Sequence, residues 1–429
     1  MYMKKAVLSL VQRYLQFLAR IKIRWIRPEI IAVTGSYGKT SAKEAIFQVL
    51  HAEFGDDIGK NWGNMNSVLG LPLAILGFRS YYFSLGILWN VFVAQLNLFF
   101  YRLPKILVLE LGIDKPGEMS ELLSIIQPNI AAVTGISETH LEGLKTIEVV
   151  KKEKNLLFAA LGRNGVALIN WDNDHSRNLF IPEGVKKFTF GTTITGTKSA
   201  DVLASDIKVT DLGTTFIMDL FGEKINIKSK LYGAHSIKSL LIAAAVGYQY
   251  GISAEKIKKV IEQIEPQKGR MNLLKIENGI VIIDDSYNSN PRSAEKALWT
   301  LKDIKYDSAR KIAILGNMNE LGSYSQEGHL RVGKTAADIA DLLLAVGENR
   351  KYIAEGAEKA GLSASKIRVF ETTEDLIDKI DGILQPNDLV LVKGSQNGVR
   401  LEKLVKHLIN NDKLASEILC RQEKKWQGK

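Results

Sequence analysis

The chain has 429 residues, 46% hydrophobic and 24% charged, an ordinary globular composition with apolar material for two or three domains. A net charge of +10 and a pI near 9.3 fit an anionic substrate, a membrane surface or nucleic acid. No RNP, zinc-finger or helix-turn-helix signature accompanies that charge, which puts nucleic acid last. The single cysteine, Cys420, excludes an intrachain disulfide framework and a cysteine-based metal site, and points to a reducing compartment, the cytoplasm.

Met1 to Arg27 reads as one basic amphipathic helix, within an N-terminal segment 1–29. Val7, Leu8, Leu10, Val11, Tyr14, Leu15, Phe17 and Leu18 are apolar; Lys4, Lys5, Arg13, Arg20, Lys22, Arg24 and Arg27 are basic. Gln12 and Arg13 interrupt the apolar run, and no small-x-small site follows, which argues against a signal peptide. A helix lying on an anionic membrane and a helix packed on its own domain both fit.

Ile30-Ile31-Ala32-Val33 is a β-type run leading into Thr34-Gly35-Ser36-Tyr37-Gly38-Lys39-Thr40-Ser41. Strand, glycine turn and helix start are the parts a polyphosphate site needs. Backbone N–H groups of the turn and helix N-terminus point at phosphate oxygens. Lys39 adds a charge at the β/γ-phosphates and Thr40 a hydroxyl for Mg²⁺. Val33 stands where the common P-loop has its first glycine, so this is the shorter T-G-x-x-G-K-[ST] form.

Ala42 to Phe54 has helical spacing. Asn64 and Asn66 then enter an apolar segment, placed to hydrogen-bond a ligand or simply to turn the chain. From Tyr81 to Tyr101 no residue is charged. One membrane crossing there would leave two halves of one sheet on opposite sides of a bilayer. Gly86, Asn90, Ala94 and Asn97 share a helical face suited to close packing. The insertion, residues 80–102, therefore reads as a helix in the membrane interface beside the N-terminal helix, or as a buried helical pair or dimer interface.

Lys105 to Gly112 is a buried parallel strand, and Glu110 lies at its carboxyl end, where open α/β sheets bind ligands. Pro128 to Gly135 is another, followed by His140. Lys154 lies on the next helix, and spacing alone makes it a solvated lysine. Residues from about Lys187 to Lys230 alternate, suggesting antiparallel strands. An Ala-rich helix spans Ser239 to Tyr250. Strands at Val281–Asp285, Lys311–Gly316, Leu342–Gly347 and Asp388–Gly394 then alternate with helices. This predicts an α/β protein: a central P-loop domain over 30–267 with a mostly parallel sheet, and a Rossmann-like C-terminal domain over 268–429. No G-x-G-x-x-G is present, which argues against a nicotinamide cofactor.

The chain resembles the Mur ligases, ATP-dependent enzymes that add amino acids to the peptidoglycan precursor. The resemblance rests on Thr34 to Thr40, Gly63-Asn64-Met65-Asn66 with Gly70-Leu71-Pro72, Glu110-Leu111-Gly112, His140-Leu141-Glu142-Gly143, Glu153-Lys154, Lys268-Gly269-Arg270, Asp284 to Pro291, Gly316 to Gly322, and Lys393-Gly394-Ser395. The stretches at Asp284 and Gly316 point to the branch that adds D-alanyl-D-alanine. The resemblance implies ATP and Mg²⁺ as cofactors, with a muropeptide precursor and D-alanyl-D-alanine as small-molecule substrates. It implies that Lys39 and Thr40 hold phosphates and metal, that Glu110 and His140 bind metal, and that Lys154 is carbamylated and helps hold a second Mg²⁺. Arg270 would reach the phosphates from the C-terminal domain, and Asp285, Tyr287 and Ser289 would contact the nucleotide.

Three departures accompany it. Only about thirty residues precede the phosphate loop, where the family has a domain that grips the UDP-sugar. The family's His-Asn-x-x-Asn appears as His235-Ser236-Ile237-Lys238-Ser239, which alters the adenine contacts. The apolar insertion is not general to the family, and with the first departure it suggests an acceptor held at the inner face of the membrane through 1–27 and 81–101. The same residues also fit a polyglutamate-type or other peptide ligase, or a non-catalytic nucleotide-binding partner at the membrane. Lys39, Glu110, His140, Lys154 and Arg270 together weigh against the last.

Overall fold

The computed structural model describes residues 2–80, 87–139, 141–210, 212–306, 310–395, 398–423 and 426, leaving aside the side chains of 2–6, 87, 88, 234 and 235. Nine strands, β1 (Glu29–Thr34), β2 (Ile58–Lys60), β3 (Ile106–Glu110), β4 (Ile130–Val133), β5 (Val166–Asn170), β6 (Lys186–Thr192), β7 (Val202–Thr210), β8 (Gly213–Leu220) and β9 (Glu223–Ser229), make one sheet. Their order is β2-β3-β1-β4-β5-β6-β7-β8-β9.

Every neighbouring pair from β2 across to β7 is parallel; only β8 and β9 return antiparallel. The antiparallel expectation from Lys187 onward is therefore corrected for β6. Alternation reports which face is buried, not strand direction, and the connection between β5 and β6 is long enough for a crossover. β1, β3, β4 and β5 read as continuous apolar runs because both faces are covered. On one face lie α2 (Lys39–Phe54) and the helix Ala234–Gln249, whose Ala243, Ala244 and Ala245 allow close approach. The helices Glu118–Leu123 and Ile147–Ala159 cover the other.

The second sheet holds β10 (Asn272–Lys275), β11 (Val281–Asp285), β12 (Lys311–Gly316), β13 (Leu342–Val346), β14 (Ile367–Phe370) and β15 (Leu389–Lys393), in the order β10-β11-β15-β12-β13-β14. It is parallel except at its β10 edge. Apolar clusters fill both faces, the doubly wound α/β pattern that the spacing of these strands predicts.

The N-terminal helix α1 (Tyr2–Ile26), a short helix α3 (Gly70–Ile75) and α4 (Ile87–Phe100) form a unit beside the first sheet. Leu15 and Leu18 of α1 pack with Met65, Leu73, Leu76, Phe78, Ala94 and Leu98. So one face of α1 is packed on its own domain. Asn90 and Ala94 turn inward and Asn97 donates to Leu76 O at 2.7 Å, as the small-and-polar stripe predicts; Gly86 and the rest of 81–86 lie outside the described residues. Lys22, buried, donates to the carbonyls of Asn97, Leu98 and Tyr101 at 3.2, 2.7 and 2.6 Å. It satisfies the open carbonyls at the end of α4, where a cation also meets the negative pole of the helix dipole. Among the described residues no helix is long and apolar enough to cross a membrane.

Candidate active site at the domain junction

The carboxyl ends of both sheets face one cavity of about 960 Å³. The loop between β1 and α2 forms its floor. Gly35 has φ 153° and Gly38 φ 73°. A Cβ on Gly35 would lie 1.9 Å from Thr134 Oγ1, so the loop closes on β4 only with glycine there. Thr34 Oγ1 donates to Leu111 O at 2.9 Å, Ser36 N to Gly135 O at 2.7 Å and Ser36 Oγ to Ser137 O at 3.0 Å. These bonds pin Thr34, Gly35 and Ser36 beneath the cavity. Ser36, Tyr37, Gly38, Lys39, Thr40 and Ser41 line it.

Lys39 Nζ donates to Gly35 O at 2.8 Å, and Lys154 Nζ donates to the same oxygen at 3.0 Å. Lys154 is thus no solvated lysine. It is fully buried under the loop and does not line the cavity. Burial, followed by the charge of Lys39, drives its pKa well below the usual lysine value. Lys39 is lowered too, first by burial, while Glu110 pulls the other way and Arg270 adds to the lowering.

Glu110 ends β3 and is buried. Its Oε1 accepts from Asn66 Nδ2 at 2.8 Å; its Oε2 is buried with no hydrogen-bond partner. Lys43 Nζ comes no closer to Oε2 than 3.9 Å and donates instead to Asn61 O at 2.8 Å. A buried carboxylate oxygen without a hydrogen bond, on a residue that lines the same cavity as Thr40, is a donor that fits Mg²⁺, a hard cation taking oxygen ligands. His140 lies outside the described residues, among which no group of three His, Cys, Asp or Glu gathers for a metal.

The second sheet supplies the roof. Arg270 lines the cavity with its guanidinium 4.3 Å from the Tyr287 ring centroid. Asp285 accepts from Lys393 Nζ at 2.6 Å, and Ser289 O accepts from Ser395 Oγ at 3.1 Å. Asp285, Tyr287 and Ser289 all line the cavity. Asn64 and Asn66, read from the sequence as ligand contacts, already have protein partners. Asn66 steadies Glu110, while Asn64 Oδ1 accepts from Tyr287 OH at 2.7 Å across the two domains.

Other contacts join the halves. Lys296 Nζ sits 3.7 Å from the Tyr37 ring centroid, and Glu142 N donates to Glu320 O at 3.3 Å. Arg270 and Glu110 therefore face the same space, although 160 positions separate them in the chain. Sequence reading missed Asn61, Lys43 and Lys296, and named Lys393 only within a motif, with no role. Asn61 clamps the end of β3 by accepting from Glu110 N and donating to Glu110 O, each at 2.9 Å. Ser236 and Ser239, in place of the family's asparagines, line the cavity; Ser236 Oγ donates to Tyr232 O at 2.9 Å.

The profile of the Mur ligase middle domain matches residues 33–247, and that of the Mur ligase, glutamate ligase domain matches 269–396. The chain belongs to the Mur ligase family. Curated relatives of this Mur ligase include the UDP-N-acetylmuramoyl-tripeptide–D-alanyl-D-alanine ligases of Bacillus subtilis and Rickettsia prowazekii. The first is 29% identical over 92% of this chain and 79% of its own length. The second is 30% identical over 91% and 80%. MurF from Acinetobacter baumannii superposes with a TM-score of 0.77 at 24% identity, covering 92% of this chain and 80% of its own. MurF ligase from Thermotoga maritima, solved in complex with ADP, gives 0.75 at 24% identity over 93% and 83%. At that identity the two structures speak for the fold of this Mur ligase.

Proposed function

We propose that this Mur ligase family member joins D-alanyl-D-alanine to a UDP-N-acetylmuramoyl-tripeptide or a related muropeptide at the expense of ATP, in the cytoplasm where both are available. One observation carries the reading. The phosphate loop with Lys39, Glu110, whose Oε2 has no hydrogen bond, and, from the other domain, Arg270 line a single cavity.

ATP would lie with its β- and γ-phosphates on the N–H groups of residues 36–40, at the start of α2. A carboxylate oxygen of the acceptor attacks the γ-phosphorus, the bond from that phosphorus to the β–γ bridging oxygen breaks, and ADP departs. The product is an acyl phosphate. The dipeptide amine then adds to the acyl carbon, the tetrahedral adduct expels inorganic phosphate, and the nitrogen gives up a proton. Lys39 and Arg270 place positive charge on opposite sides of the transferring phosphoryl group, where negative charge concentrates. Thr40, Glu110 and His140 would hold Mg²⁺, which supplies further neutralisation of the phosphate oxygens. Burial favours the neutral amine of Lys154, the form that adds to CO₂ with loss of one proton, giving the carbamate that would complete the metal set. Asp285, Tyr287 and Ser289 would meet the nucleotide from above, and Asn64 and Asn66 would meet the acceptor on domain opening. The closed junction excludes water that would otherwise hydrolyse the acyl phosphate.

The test is ADP release and product mass for wild type and Lys39→Ala, with UDP-linked muropeptides, lipid-linked precursors and γ-glutamyl acceptors offered in turn. Wild type should release ADP only with acceptor and dipeptide both present. Lys39→Ala should lose about 10²-fold or more in kcat. Ligation by Lys39→Ala within about threefold of wild type would end the reading.

A further inference from the structure

Eleven of the nineteen large apolar side chains exposed among the described residues lie on just two helices. On α4 they are Trp89, Phe92, Leu96, Phe99 and Phe100, one continuous helical face, with Phe99 67% and Phe100 81% exposed. On α1 they include Leu10, Phe17 and Trp25, which share a stripe next to the buried one. The Trp25 and Phe99 rings meet edge-on at 6.2 Å, so the two faces are continuous. A face of this size on a folded domain marks a partner.

The charge around it selects the partner. Helix α1 carries six Lys and Arg and no Asp or Glu. Arg13 and Arg24 are exposed beside the apolar stripe, and Arg27, Arg79 and Arg102 are exposed where the chain leaves α1 and on either side of α4. Two acids that touch this unit are engaged: Glu121 accepts from Gln12 and Gln16, and Asp57 accepts from Lys105 at 2.9 Å while Arg102 lies 3.8 Å from it. A second copy of the chain would set one cationic rim against another. An anionic lipid surface complements both the rim and the apolar centre. Among the described residues no helix is long and apolar enough to cross a membrane. The fourteen described residues of α4 reach about 21 Å, short of a hydrocarbon core of about 30 Å, and α1 is strongly basic.

We propose that the exposed face of α1 and α4 is a monotopic anchor that seats this protein on an anionic bilayer, with the aromatic side chains at the headgroup boundary and the arginines on the lipid phosphates. The anchor is tied to the cavity. Met65, between Asn64 and Asn66, is buried in the same cluster as Leu15, Leu18, Ala94 and Leu98. The Asn64–Asn66 loop is therefore packed, through Met65, on the inner side of the two helices whose outer side would meet lipid. The proposal stands independently of the chemistry at the nucleotide site.

The test is co-sedimentation of the full chain with phosphatidylglycerol-containing vesicles and with pure phosphatidylcholine vesicles, together with tryptophan fluorescence in the presence of brominated lipid. Wild type should bind the anionic vesicles, lose affinity with added salt, and have Trp25 and Trp89 quenched. The triple variant Phe92→Ser/Leu96→Ser/Phe99→Ser should bind about tenfold or more weakly at unchanged ATP turnover and melting temperature. Arg13→Glu/Arg24→Glu should erase the preference for anionic lipid. Absence of vesicle binding by wild type, or binding unchanged in both variants, would overturn the proposal. So would a wild-type dimer that the serine variant splits while vesicles bind neither form.

Discussion

Lys154→Met separates a structural lysine from a chemical one. Both Lys39 Nζ and Lys154 Nζ lie within 3.0 Å of Gly35 O, so the nitrogens are less than about 6 Å apart. Two ammonium groups at that distance repel by about 3 kcal/mol or more at an effective dielectric near 20. Burial of Lys154 disfavours its charged form further and lowers its pKa well below the usual lysine value. Methionine has nearly the same length and no charge to desolvate. Gly35 O keeps its bond from Lys39, so the variant orphans no acceptor, and the lost hydrogen bond is worth about 1 kcal/mol net.

The expected outcome is a melting temperature equal to or above that of wild type, with ligation down about 10²-fold or more. The pH dependence has a definite sign. A lysine whose folded pKa lies below its ordinary value of 10.5 penalises the native state fully below that folded pKa. The penalty disappears as pH rises toward 10.5. The stability advantage of Lys154→Met should therefore shrink with rising pH in CO₂-free buffer. A variant several kcal/mol less stable than wild type, or one that ligates normally, would refute this account of the buried amine.

Asp284, buried at the end of β11 with Oδ2 unpartnered, has its pKa pushed up to about 6 by burial. The native state thus holds a proton that the unfolded chain, near 3.8, releases; that stability is present below 3.8 and is lost as pH rises through 6. Asp284→Asn should raise the melting temperature at pH 8, by up to about 3 kcal/mol of stability, and change little at pH 4; an equal gain at both would be wrong for this mechanism. Tyr287→Phe keeps the ring under Arg270 and removes the bond to Asn64. It should weaken domain closure by about 1 kcal/mol, raising KM severalfold with kcat nearly unchanged. Asn64→Ala should do the same, and the double variant should add nothing, as a double-mutant cycle would reveal.

What could be read from the chain was what local physics writes into it. The strands at Ile30, Ile106, Ile130 and Val281 are continuous apolar runs because parallel sheets are covered on both faces, and the glycines of the phosphate loop announce a turn that only glycine completes. Lys154 was opaque for a physical reason. Helical spacing says which residues share a face, but not that this face lies beneath a loop 119 positions earlier. Asn64 and Asn66 looked like free polar groups because their partners, Tyr287 and Glu110, are 223 and 44 positions away. For α1, the alternative between a packed and a surface helix was ill-posed. Its buried stripe at Leu15, Leu18 and Lys22 and its exposed stripe at Leu10, Phe17 and Trp25 are adjacent, so one sequence encodes both.

The junction between the sheets explains why a rigid reading of either half falls short. Each apolar cluster belongs essentially to one sheet or to the α1–α4 unit; among the described residues of the first domain, only Tyr232 and Val209 reach into the core of the second. Contacts that close the cavity include a hydroxyl on an amide, a lysine nitrogen on a ring, and a backbone bond to a carbonyl oxygen. Each is worth on the order of 1 kcal/mol, and water replaces each when the domains part. A mostly polar junction opens and closes readily, unlike an apolar one. An anionic ligand between Lys39 and Arg270 would relieve the mutual repulsion of cations drawn together there, and so would shift the balance toward closure. Closure and phosphate binding are then one equilibrium, set by residues 231 positions apart.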